Sequence, residues 1–256
     1  MEDLPTSQDD PRLDGWYHTV ELGDGLVSKG MFDHRSVVDC YGLPASLKGK
    51  TVLDVATANG FFAFEMERRG AESVLAVDVP SIGECDWMPR IRTRLRDSAN
   101  VRAWSAQFRL AHAMRGSRVE YRAVSVYDLS PYTVGTFDVV FCGSLLLHLQ
   151  HPLGALAALR SVTNEMLVIE TAVDPAFEEV PDKPLMSFGY PGEEAEPGER
   201  NSYWMFSTCA LRKMLRYADF PVAEPQGVFL LPPSGPWVSS VVAYPGPSPQ
   251  RWTGEL

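Results

Sequence analysis

Short hydrophobic runs alternate with amphipathic segments along most of this chain. Runs of five or six residues rich in Val, Ile, Leu and Phe are typical of strands buried in a parallel sheet. The alternation of such runs with helical spacing predicts repeated β–α units, and therefore an α/β fold with an open, doubly wound sheet. Strands are expected at residues 51–55, 74–78, 119–124, 137–142 and 166–170, followed by an antiparallel pair at 227–231 and 237–244.

Helix signals fall between these runs. Ser207 has the side chain of a helix N-cap, and Leu211, Met214 and Leu215 follow it at helical spacing. A polar stretch rich in Pro and Gly, residues 172–202, is interpreted as either a lid or a disordered insertion. Helices are expected near residues 32–41, after residue 60, over 98–114, over 152–160 and after Ser207.

One strand–turn–helix unit contains residues that are typical of a ligand site. The run at residues 51–55 contains Asp54, and small residues then turn the chain into a helix that starts after Gly60. Small side chains at such a turn let backbone N–H groups approach a ligand closely. Asp78 ends the next run, 18 residues beyond Gly60, where a carboxylate can accept both hydroxyls of a ribose. The unit predicts a nucleotide site, and an ordinary crossover without a ligand is the alternative.

Two ligands that contain adenosine compete for such a unit, a dinucleotide and S-adenosylmethionine. A dinucleotide site carries Gly-x-Gly-x-x-Gly so that the pyrophosphate reaches the helix N-terminus. This chain has Ala56, Ala58 and Phe61 at those positions. The carboxylate of Asp54 would also repel a pyrophosphate, whereas it attracts a ligand with an ammonium and a sulfonium group. The charges therefore favour S-adenosylmethionine as the cofactor.

The overall charge bears on the acceptor. The 256 residues include 23 Lys and Arg against 33 Asp and Glu, which gives a formal charge of −10. Because nucleic-acid binders usually present a basic face to a polyanion, this balance favours a small-molecule acceptor over a nucleic acid. The basic stretch at residues 90–96 is interpreted as a solvated helix start, with an RNA contact as the alternative.

The sequence predicts neither a membrane partner nor a metal. No apolar run approaches the ~18 residues that span a bilayer, and the acidic N-terminus has no hydrophobic leader. The four cysteines are far apart and are expected to be reduced thiols. His148 and His151 lack the neighbours that would complete a metal site. We therefore expect a cytoplasmic protein without a catalytic metal, and a homodimer is an open alternative.

With these elements placed, the chain resembles the class I S-adenosylmethionine-dependent methyltransferases. More narrowly, it is similar to the catalytic core of the bacterial tRNA wobble-uridine carboxymethyltransferase family, over roughly residues 30–245. The resemblance implies a Rossmann-like methyltransferase fold with a seven-stranded, mostly parallel sheet in residues 31–256, after an N-terminal tail and lid in residues 1–30. The resemblance rests on residues 53–55 with Gly60, on 78–80, on 141–153 and on 201–211.

The resemblance also implies which positions bind S-adenosylmethionine. The methionine end and the sulfonium are expected to contact Asp54, Ala56, Gly60 and Gly143. The adenosine is expected to contact Asp78, Val79, Pro80, Val126, Tyr127 and Asp128. For Asp128, two interpretations stay open: an acceptor for the adenine amino group, or a helix cap.

Departures from the family pattern decide which group is transferred. The wobble-uridine enzymes hold the extra carboxylate of carboxy-S-adenosylmethionine with a Lys before the core, a Tyr in the fourth-strand motif and a late Arg. In this chain Leu147 matches the Tyr, no Lys precedes Lys29, and residues 235–238 contain no Arg. Because an unpaired buried carboxylate is costly, we expect ordinary S-adenosylmethionine and no carboxymethyl transfer. The family's N-terminal domain is also expected to be absent.

Methyl transfer requires an aligned acceptor and, for a hydroxyl acceptor, a base. His148 follows the fourth strand at the edge where ligands bind, and His18 lies in an aromatic-rich stretch that is a candidate lid. A structural or packing function is the alternative for each histidine. Glu170 is expected either to orient an acceptor or to cap a turn. An apolar acceptor pocket, or alternatively core packing, is expected for Trp16, Tyr17, Leu147, Tyr203 and Trp204.

The leading hypothesis from the sequence is S-adenosylmethionine-dependent methyl transfer to a small organic acceptor, for example a specialised metabolite. One alternative is an enzyme that modifies the wobble uridine of tRNA. Another is a non-catalytic subunit that binds S-adenosylmethionine, which the alanines at positions 56 and 58 would permit.

Overall fold

The computed structural model describes residues 4–89, 92, 104–189 and 202–246. Its N-terminal part is a set of four short strands, in which β1 pairs in parallel with β4 and β2 pairs antiparallel with β3. Leu13, Trp16, Val20 and Leu22 of this part are buried in the same cluster as one face of the main sheet. The four strands are β1 (Asp14–His18), β2 (Glu21–Gly23), β3 (Leu26–Val27) and β4 (Lys29–Phe32).

The rest of the described chain forms a seven-stranded sheet with helices and a separate two-stranded sheet of Met186–Phe188 and Trp204–Phe206. The elements are β5 (Thr51–Val55), α1 (Phe61–Arg68), β6 (Ser73–Asp78), α2 (Trp104–Arg115), β7 (Glu120–Ala123), β8 (Phe137–Gly143), α3 (Pro152–Val162), β9 (Thr163–Ala172), α4 (Pro175–Glu178), β10 (Met186–Phe188), β11 (Trp204–Phe206), α5 (Thr208–Tyr217), β12 (Val222–Leu230) and β13 (Trp237–Tyr244). The sheet order is β12-β13-β9-β8-β5-β6-β7, in which β7, β6, β5, β8 and β9 are parallel. Strand β13 is antiparallel to both of its neighbours. The predicted doubly wound α/β fold is confirmed.

Hydrophobic residues cover both faces of the sheet because the central strands are apolar on both sides. Along β5, Leu53 and Val55 face a cluster that includes α3 and α5, whereas Val52 faces α1, α2 and the N-terminal strands. Successive side chains of a strand point to opposite faces. Asp54, between Leu53 and Val55, therefore points to the face that the N-terminal strands cover.

The structure differs from the prediction before the first strand of the sheet. The helix expected near residues 32–41 is two short 3-10 turns, His34–Ser36 and Val38–Tyr41. The carboxylate of Asp33 accepts the N–H of Arg35 and so caps the first turn. Gly42, with a φ of 81°, ends the second turn. Local capping therefore replaces a continuous helix with two turns.

Two other predicted segments are described only in part. The helix expected over 98–114 is described as Trp104–Arg115, and most of the basic stretch 90–96 lies outside the described residues. In the polar segment 172–202, β10 pairs antiparallel with β11, and residues 190–201 lie outside the described residues. No helix in the described ranges is long and apolar enough to cross a bilayer.

Candidate functional site

A cavity of about 320 Å³ lies at the carboxyl ends of β5, β6 and β8, beside β9. Ligands of open α/β sheets bind at this edge, and a volume of this order is usual for a small-molecule site. All three candidate catalytic residues, His18, His148 and Glu170, border it. The predicted cofactor and acceptor positions in its wall are Asp54, Ala56, Asp78, Val79, Val126, Tyr127, Gly143 and Tyr17.

The turn between β5 and α1 contains three residues in left-handed backbone conformation. The φ angles of Ala56, Ala58 and Gly60 are 62°, 49° and 94°. The N–H groups of Ala56 and Thr57 donate to the carbonyl of Val77 at 2.9 and 3.2 Å, which ties the turn to β6. The two alanines therefore adopt the conformation that glycine prefers, at a cost of about 1–2 kcal/mol per residue.

We expect the substitution Ala58→Gly to leave the free energy of unfolding unchanged or to raise it by up to about 1 kcal/mol. The relief of left-handed strain offsets the greater entropy of glycine in the unfolded chain. The matched control is Ala113→Gly on the exposed side of α2, which should lower the free energy of unfolding by about 0.5–1 kcal/mol. Urea unfolding of both variants measures the difference, and equal losses at the two positions would contradict strain in the turn.

Asp54 lies on β5 with only 1% of its surface exposed. Its Oδ2 accepts a hydrogen bond from the hydroxyl of Thr57 at 2.6 Å. Burial raises the pKa of Asp54 to about 7, the hydrogen bond from Thr57 opposes this rise, and the charge of Asp78 adds to it. No Lys or Arg contributes to these shifts among the described residues. The site therefore holds a carboxyl group that a cation would stabilise in its charged form.

The carboxylate of Asp78 closes the turn from the other side. Its Oδ2 accepts the N–H of Ala58 at 2.7 Å, and its Oδ1 accepts the N–H of Val79 at 2.7 Å. Burial raises the pKa of Asp78 to about 6, although both hydrogen bonds oppose the rise. Each carboxylate oxygen can accept a second hydrogen bond. The side chain therefore has acceptor capacity left for two ribose hydroxyls.

Glu170 occupies the middle of the sheet edge and is 1% exposed. It pairs with Gly143 in the register of β8 and β9, and the hydroxyl of Ser144 lies 3.0 Å from each of its carboxylate oxygens. Burial raises the pKa of Glu170 to about 7. A Cβ atom at position 143 would lie 2.9 Å from the ring of Phe141 and 3.3 Å from Oε2 of Glu170. Glycine at position 143 therefore leaves room for the side chains of Phe141 and Glu170.

The cavity fits S-adenosylmethionine in charge and in hydrogen-bond capacity. Among the described residues of its wall, Arg92 is the one Lys or Arg, against the five carboxyl groups of Asp54, Asp78, Glu84, Asp86 and Glu170. An acidic wall suits a ligand with an ammonium and a sulfonium group. When bound, S-adenosylmethionine supplies an electrophilic methyl group on its sulfonium.

We expect the affinity for S-adenosylmethionine to rise as the pH increases from 5 to 8. Because the pKa values of Asp54 and Glu170 are raised to about 7, the charged forms that attract a cation become populated only over this range. The stability of the ligand-free protein should fall over about pH 4 to 7, because the folded chain then holds more protons than the unfolded chain, whose carboxyl groups titrate near 4.

Calorimetric titrations at pH 5, 6, 7 and 8 measure the affinity, and urea unfolding at the same pH values measures the stability. S-Adenosylhomocysteine, which lacks the sulfonium charge, should show a shallower pH dependence. The variant Asp54→Asn should flatten the slope for S-adenosylmethionine. An affinity for S-adenosylmethionine that is independent of pH would contradict the electrostatic account of the site.

Two aromatic or apolar positions predicted for the acceptor pocket lie in the core instead. Trp16 is 2% exposed, and its Nε1 donates to the carbonyl of Arg12 at 2.8 Å. Leu147 packs with Ala172 and Met205. It lies in a 3-10 turn, Leu146–His148, from which His148 rather than Leu147 borders the cavity. The packing of both side chains therefore favours the alternative of a core position over the acceptor pocket.

Tyr203 and Trp204 also lie outside the cavity wall, but they hold segments that form it. The hydroxyl of Tyr203 donates to the carbonyl of Asp86 at 2.8 Å and accepts the N–H of Met88 at 3.1 Å. The Nε1 of Trp204 donates to the carbonyl of Leu149 at 2.9 Å. Tyr203 and Trp204 were predicted to line an acceptor pocket. They instead hold the backbone of the segments at residues 86–88 and 149, which contribute to the cavity wall.

Two positions that were predicted to bind the cofactor, Gly60 and Asp128, do not line the cavity. Gly60 precedes α1 and shapes the turn, because a Cβ atom there would lie 2.5 Å from Phe64 and 2.8 Å from Phe108. Asp128 ends the 3-10 turn Val126–Asp128 and is exposed, away from the cavity. The hydroxyl of Ser125 caps this turn instead.

The structure adds wall residues that the sequence interpretation missed. Thr57 and Ser144 each follow a recognised strand and hydrogen-bond to a predicted carboxylate, so their hydroxyl side chains were a usable signal. Phe62 and Phe141 lie within recognised motifs, in α1 and β8, but were not singled out. The remaining positions had no signal in the sequence, because tertiary contacts bring them to the motif. They include Phe32, His34, Asp86 and Leu231.

A side-chain amide joins the N-terminal strands to the nucleotide turn. Asn59 is fully buried. Its Nδ2 donates to the carbonyl of His18 at 3.2 Å, and its Oδ1 accepts the N–H of His18 at 3.3 Å. Strand β1 is therefore held against the turn, and Tyr17 and His18 border the same cavity as Asp54 and Asp78.

Comparison with known proteins agrees with this geometry. Residues 53–165 match the family model for a methyltransferase domain. The chain is 30% identical over 176 residues to a tRNA U34 carboxymethyltransferase of Pseudomonas savastanoi pv. phaseolicola. The aligned region covers 68% of this chain and 46% of that protein. A tRNA U34 carboxymethyltransferase of Campylobacter hominis is 31% identical over 118 residues, or 46% of this chain and 34% of that protein. The chain thus spans about half, or less, of the length of these relatives.

Solved structures share the fold. The N-terminal domain of EvdMO1, crystallised in the presence of S-adenosylhomocysteine and D-fucose, aligns with a TM-score of 0.60 and 18% identity over 91% of this chain and 93% of that chain. Magnesium protoporphyrin IX methyltransferase of Synechocystis with bound S-adenosylmethionine aligns with a TM-score of 0.52 and 13% identity over 82% and 77%.

The fold, the carboxylates at the strand ends and the methyltransferase-domain match together place the chain among the class I S-adenosylmethionine-dependent methyltransferases. The acidic wall and the free acceptor capacity of Asp78 fit S-adenosylmethionine as the cofactor. Within this class, its sequence is similar to the tRNA U34 carboxymethyltransferases.

Proposed function

We propose that the protein transfers the methyl group of S-adenosylmethionine to a small organic acceptor. The observation that carries this proposal is the composition of the cavity wall. Tyr17, His18 and Phe32 of the N-terminal strands border the same cavity as the nucleotide carboxylates Asp54 and Asp78. The chain's own N-terminal segment thus covers the side from which an acceptor would approach, and it leaves room for a small molecule.

The residues of this wall can align an acceptor and remove its proton. Glu170, His148 and His18 all border the cavity. Among them, Glu170 has a pKa raised to about 7 by burial, which suits a general base near neutral pH. Ser144 fixes its carboxylate through two contacts of 3.0 Å. We assign proton removal from a hydroxyl or phenol acceptor to Glu170.

The wall favours methyl over carboxymethyl transfer. A carboxymethyl donor carries an additional carboxylate, which requires a cationic or hydrogen-bonding partner. Leu147, at the position of the family's Tyr, is buried and outside the wall. Five carboxyl groups border the cavity against the one guanidinium of Arg92 among the described wall residues, so an additional carboxylate would meet mainly like charge.

The test is incubation of the purified chain with S-[methyl-²H₃]-adenosylmethionine and separate panels of phenols, alcohols, amines, thiols and bulk tRNA. We expect a mass increase of one labelled methyl group in a small-molecule panel and none in tRNA. The matched control is Asp78→Asn, which should lose the labelling with its cofactor. Labelling of tRNA alone would reject the proposed acceptor class.

A second candidate function is modification of tRNA, which the identity to tRNA U34 carboxymethyltransferases favours. The formal charge of −10 opposes it, because tRNA binding rests on contacts between basic residues and phosphates. Filter binding of tRNA at 50 and 200 mM salt distinguishes the two. Tight binding that weakens steeply with salt would support tRNA as the acceptor.

A further inference from the structure

Six aromatic or imidazole side chains form one part of the cavity wall, which we call the aromatic chamber. The ring centroids of Phe62 and Phe141 are stacked 4.0 Å apart, and those of Tyr17 and Phe32 are 5.1 Å apart at a steep angle. Such ring pairs present flat apolar surfaces to a ligand. The chamber consists of Tyr17, His18, Phe32, His34, Phe62 and Phe141.

Two ring nitrogens in the chamber are buried without a hydrogen-bond partner in the described structure, Nδ1 of His18 and Nε2 of His34. The two residues are only 6% and 3% exposed, and their ring centroids lie 4.8 Å apart. A buried polar atom that lacks a partner destabilises the fold. Because both residues border the cavity, a polar group of a bound ligand can supply the missing partner.

The other nitrogen of His34 is held in place. Its Nδ1 lies 2.7 Å from the hydroxyl of Tyr41, which is itself fully buried. Because no other acceptor is near the hydroxyl of Tyr41 among the described residues, this hydroxyl donates to Nδ1. The ring proton of neutral His34 is then on Nε2, which can donate a hydrogen bond to the ligand. Tyr41 therefore fixes the ring orientation of His34.

Both imidazoles are uncharged near neutral pH. Burial lowers the pKa of His34 to about 4, while the neighbouring Asp33 opposes this. Burial, together with His34, lowers the pKa of His18 well below its usual value. The other titratable groups around the pair are Tyr17, Tyr41 and Glu170. An uncharged pair selects against a carboxylate or phosphate, which would need a cation, and it suits a neutral hydroxyl.

We propose that the aromatic chamber is the acceptor subsite and binds a neutral hydroxylated ring, a phenol. The phenol oxygen accepts a hydrogen bond from the Nε2–H of His34 and lies beside Nδ1 of His18, and its own proton stays available to Glu170. This proposal rests on the proposed function and names its substrate class. His34 and His18 are positioning residues in it, since they orient the phenol oxygen. The ring of the phenol packs against Phe62, Phe141 and Phe32.

The test uses three matched probes that share one ring: 4-methylphenol, 4-methylanisole and 4-methylbenzoate. Each is titrated into the full chain saturated with S-adenosylhomocysteine, and binding is followed through the ¹⁵N resonances of labelled histidines. We expect 4-methylphenol to bind most tightly and to shift the ring nitrogens of His18 and His34. Removal of the donor hydroxyl in 4-methylanisole should weaken binding by roughly 3- to 10-fold.

Paired variants separate the two nitrogens of His34. His34→Asn retains a polar atom near the position of Nδ1, for contact with Tyr41, but removes Nε2, and it should weaken binding of 4-methylphenol by roughly 3- to 10-fold. His34→Gln places an amide near the position of Nε2 and should restore part of that loss. His112→Asn, on α2 outside the cavity, is the matched control and should bind 4-methylphenol like the unsubstituted chain.

Several results would overturn the proposal: tightest binding of 4-methylbenzoate, no binding of 4-methylphenol to the unsubstituted chain, or histidine resonances that do not respond to it. The unsubstituted chain alone supplies these results, so the proposal stays testable if a His34 variant fails to fold. Calorimetric titration of S-adenosylhomocysteine into the same sample distinguishes failure of the acceptor subsite from failure of the proposed function. If the nucleotide binds and the phenol does not, only the aromatic subsite is rejected; if the nucleotide does not bind, the proposed function itself fails.

Discussion

Asp78→Asn should weaken binding of S-adenosylhomocysteine by about 100-fold. The carboxylate of Asp78 has acceptor capacity for two ribose hydroxyls, and hydrogen bonds to a charged group contribute about 1.5–3 kcal/mol each. An amide nitrogen cannot accept a hydrogen bond, so one ribose contact is lost and the other is weakened. The substitution also places this nitrogen next to the N–H of Ala58 or Val79, both of which donate to the carboxylate at 2.7 Å.

Isothermal titration calorimetry with two ligands makes this prediction specific. Adenosine shares the ribose, so Asp78→Asn should weaken adenosine and S-adenosylhomocysteine by a similar factor. Asp54→Asn should weaken S-adenosylhomocysteine more than adenosine, because Asp54 is assigned to the methionine end. The matched control is Asp182→Asn at an exposed turn. An affinity of the Asp78 variant within threefold of the unsubstituted chain would contradict the ribose assignment.

Gly60→Ala should lower the free energy of unfolding by about 2–5 kcal/mol, the sum of left-handed strain and overpacking. The φ of Gly60 is 94°, and an added Cβ atom would lie 2.5 Å from the ring of Phe64 and 2.8 Å from that of Phe108. Both rings are fully buried and stack on each other at 5.3 Å, so neither can move aside easily. A loss of this size is a large part of the stability of a typical domain.

Gly70→Ala is a matched control for backbone strain alone. Gly70 has a φ of 85°, and an added Cβ atom there would meet no atom within 4 Å. Urea unfolding should show a loss of about 1–2 kcal/mol for Gly70→Ala and a clearly larger loss for Gly60→Ala. Equal losses would show that the two phenylalanine rings yield to the new methyl group, and that packing does not require glycine at position 60.

The part of the cavity wall that carries the strand-end carboxylates could be predicted because it is local in sequence. Asp54, the turn and Asp78 belong to one β–α–β unit, and the geometry of such a unit fixes how far apart its strand ends lie. Glu170 and His148 followed from the same rule, since the carboxyl ends of parallel strands share one edge. The left-handed alanines at positions 56 and 58 could not be predicted, because alanine disfavours that conformation.

The side of the cavity wall that the N-terminal strands form could be predicted only in part, for Tyr17 and His18, because long-range contacts assemble it. Asn59 holds the backbone of His18 from 41 residues away, and β1 pairs with β4 to bring Phe32 beside Tyr17. No pattern in the sequence singles out His34, because its ring lies beside that of His18 only after the strands pair. Trp16 and Leu147, two of the positions predicted for an acceptor pocket, lie in the core for the same reason.

The sequence by itself determined the order of strands and helices, the acidic strand ends and the class of cofactor, because hydrophobic period and charge act over neighbouring residues. Only the tertiary structure decided which aromatic side chains face the cavity and which face the core. That choice depends on how the N-terminal strands pack on the sheet. It also left two uncharged imidazole nitrogens in the cavity wall without partners, and these define the proposed acceptor subsite.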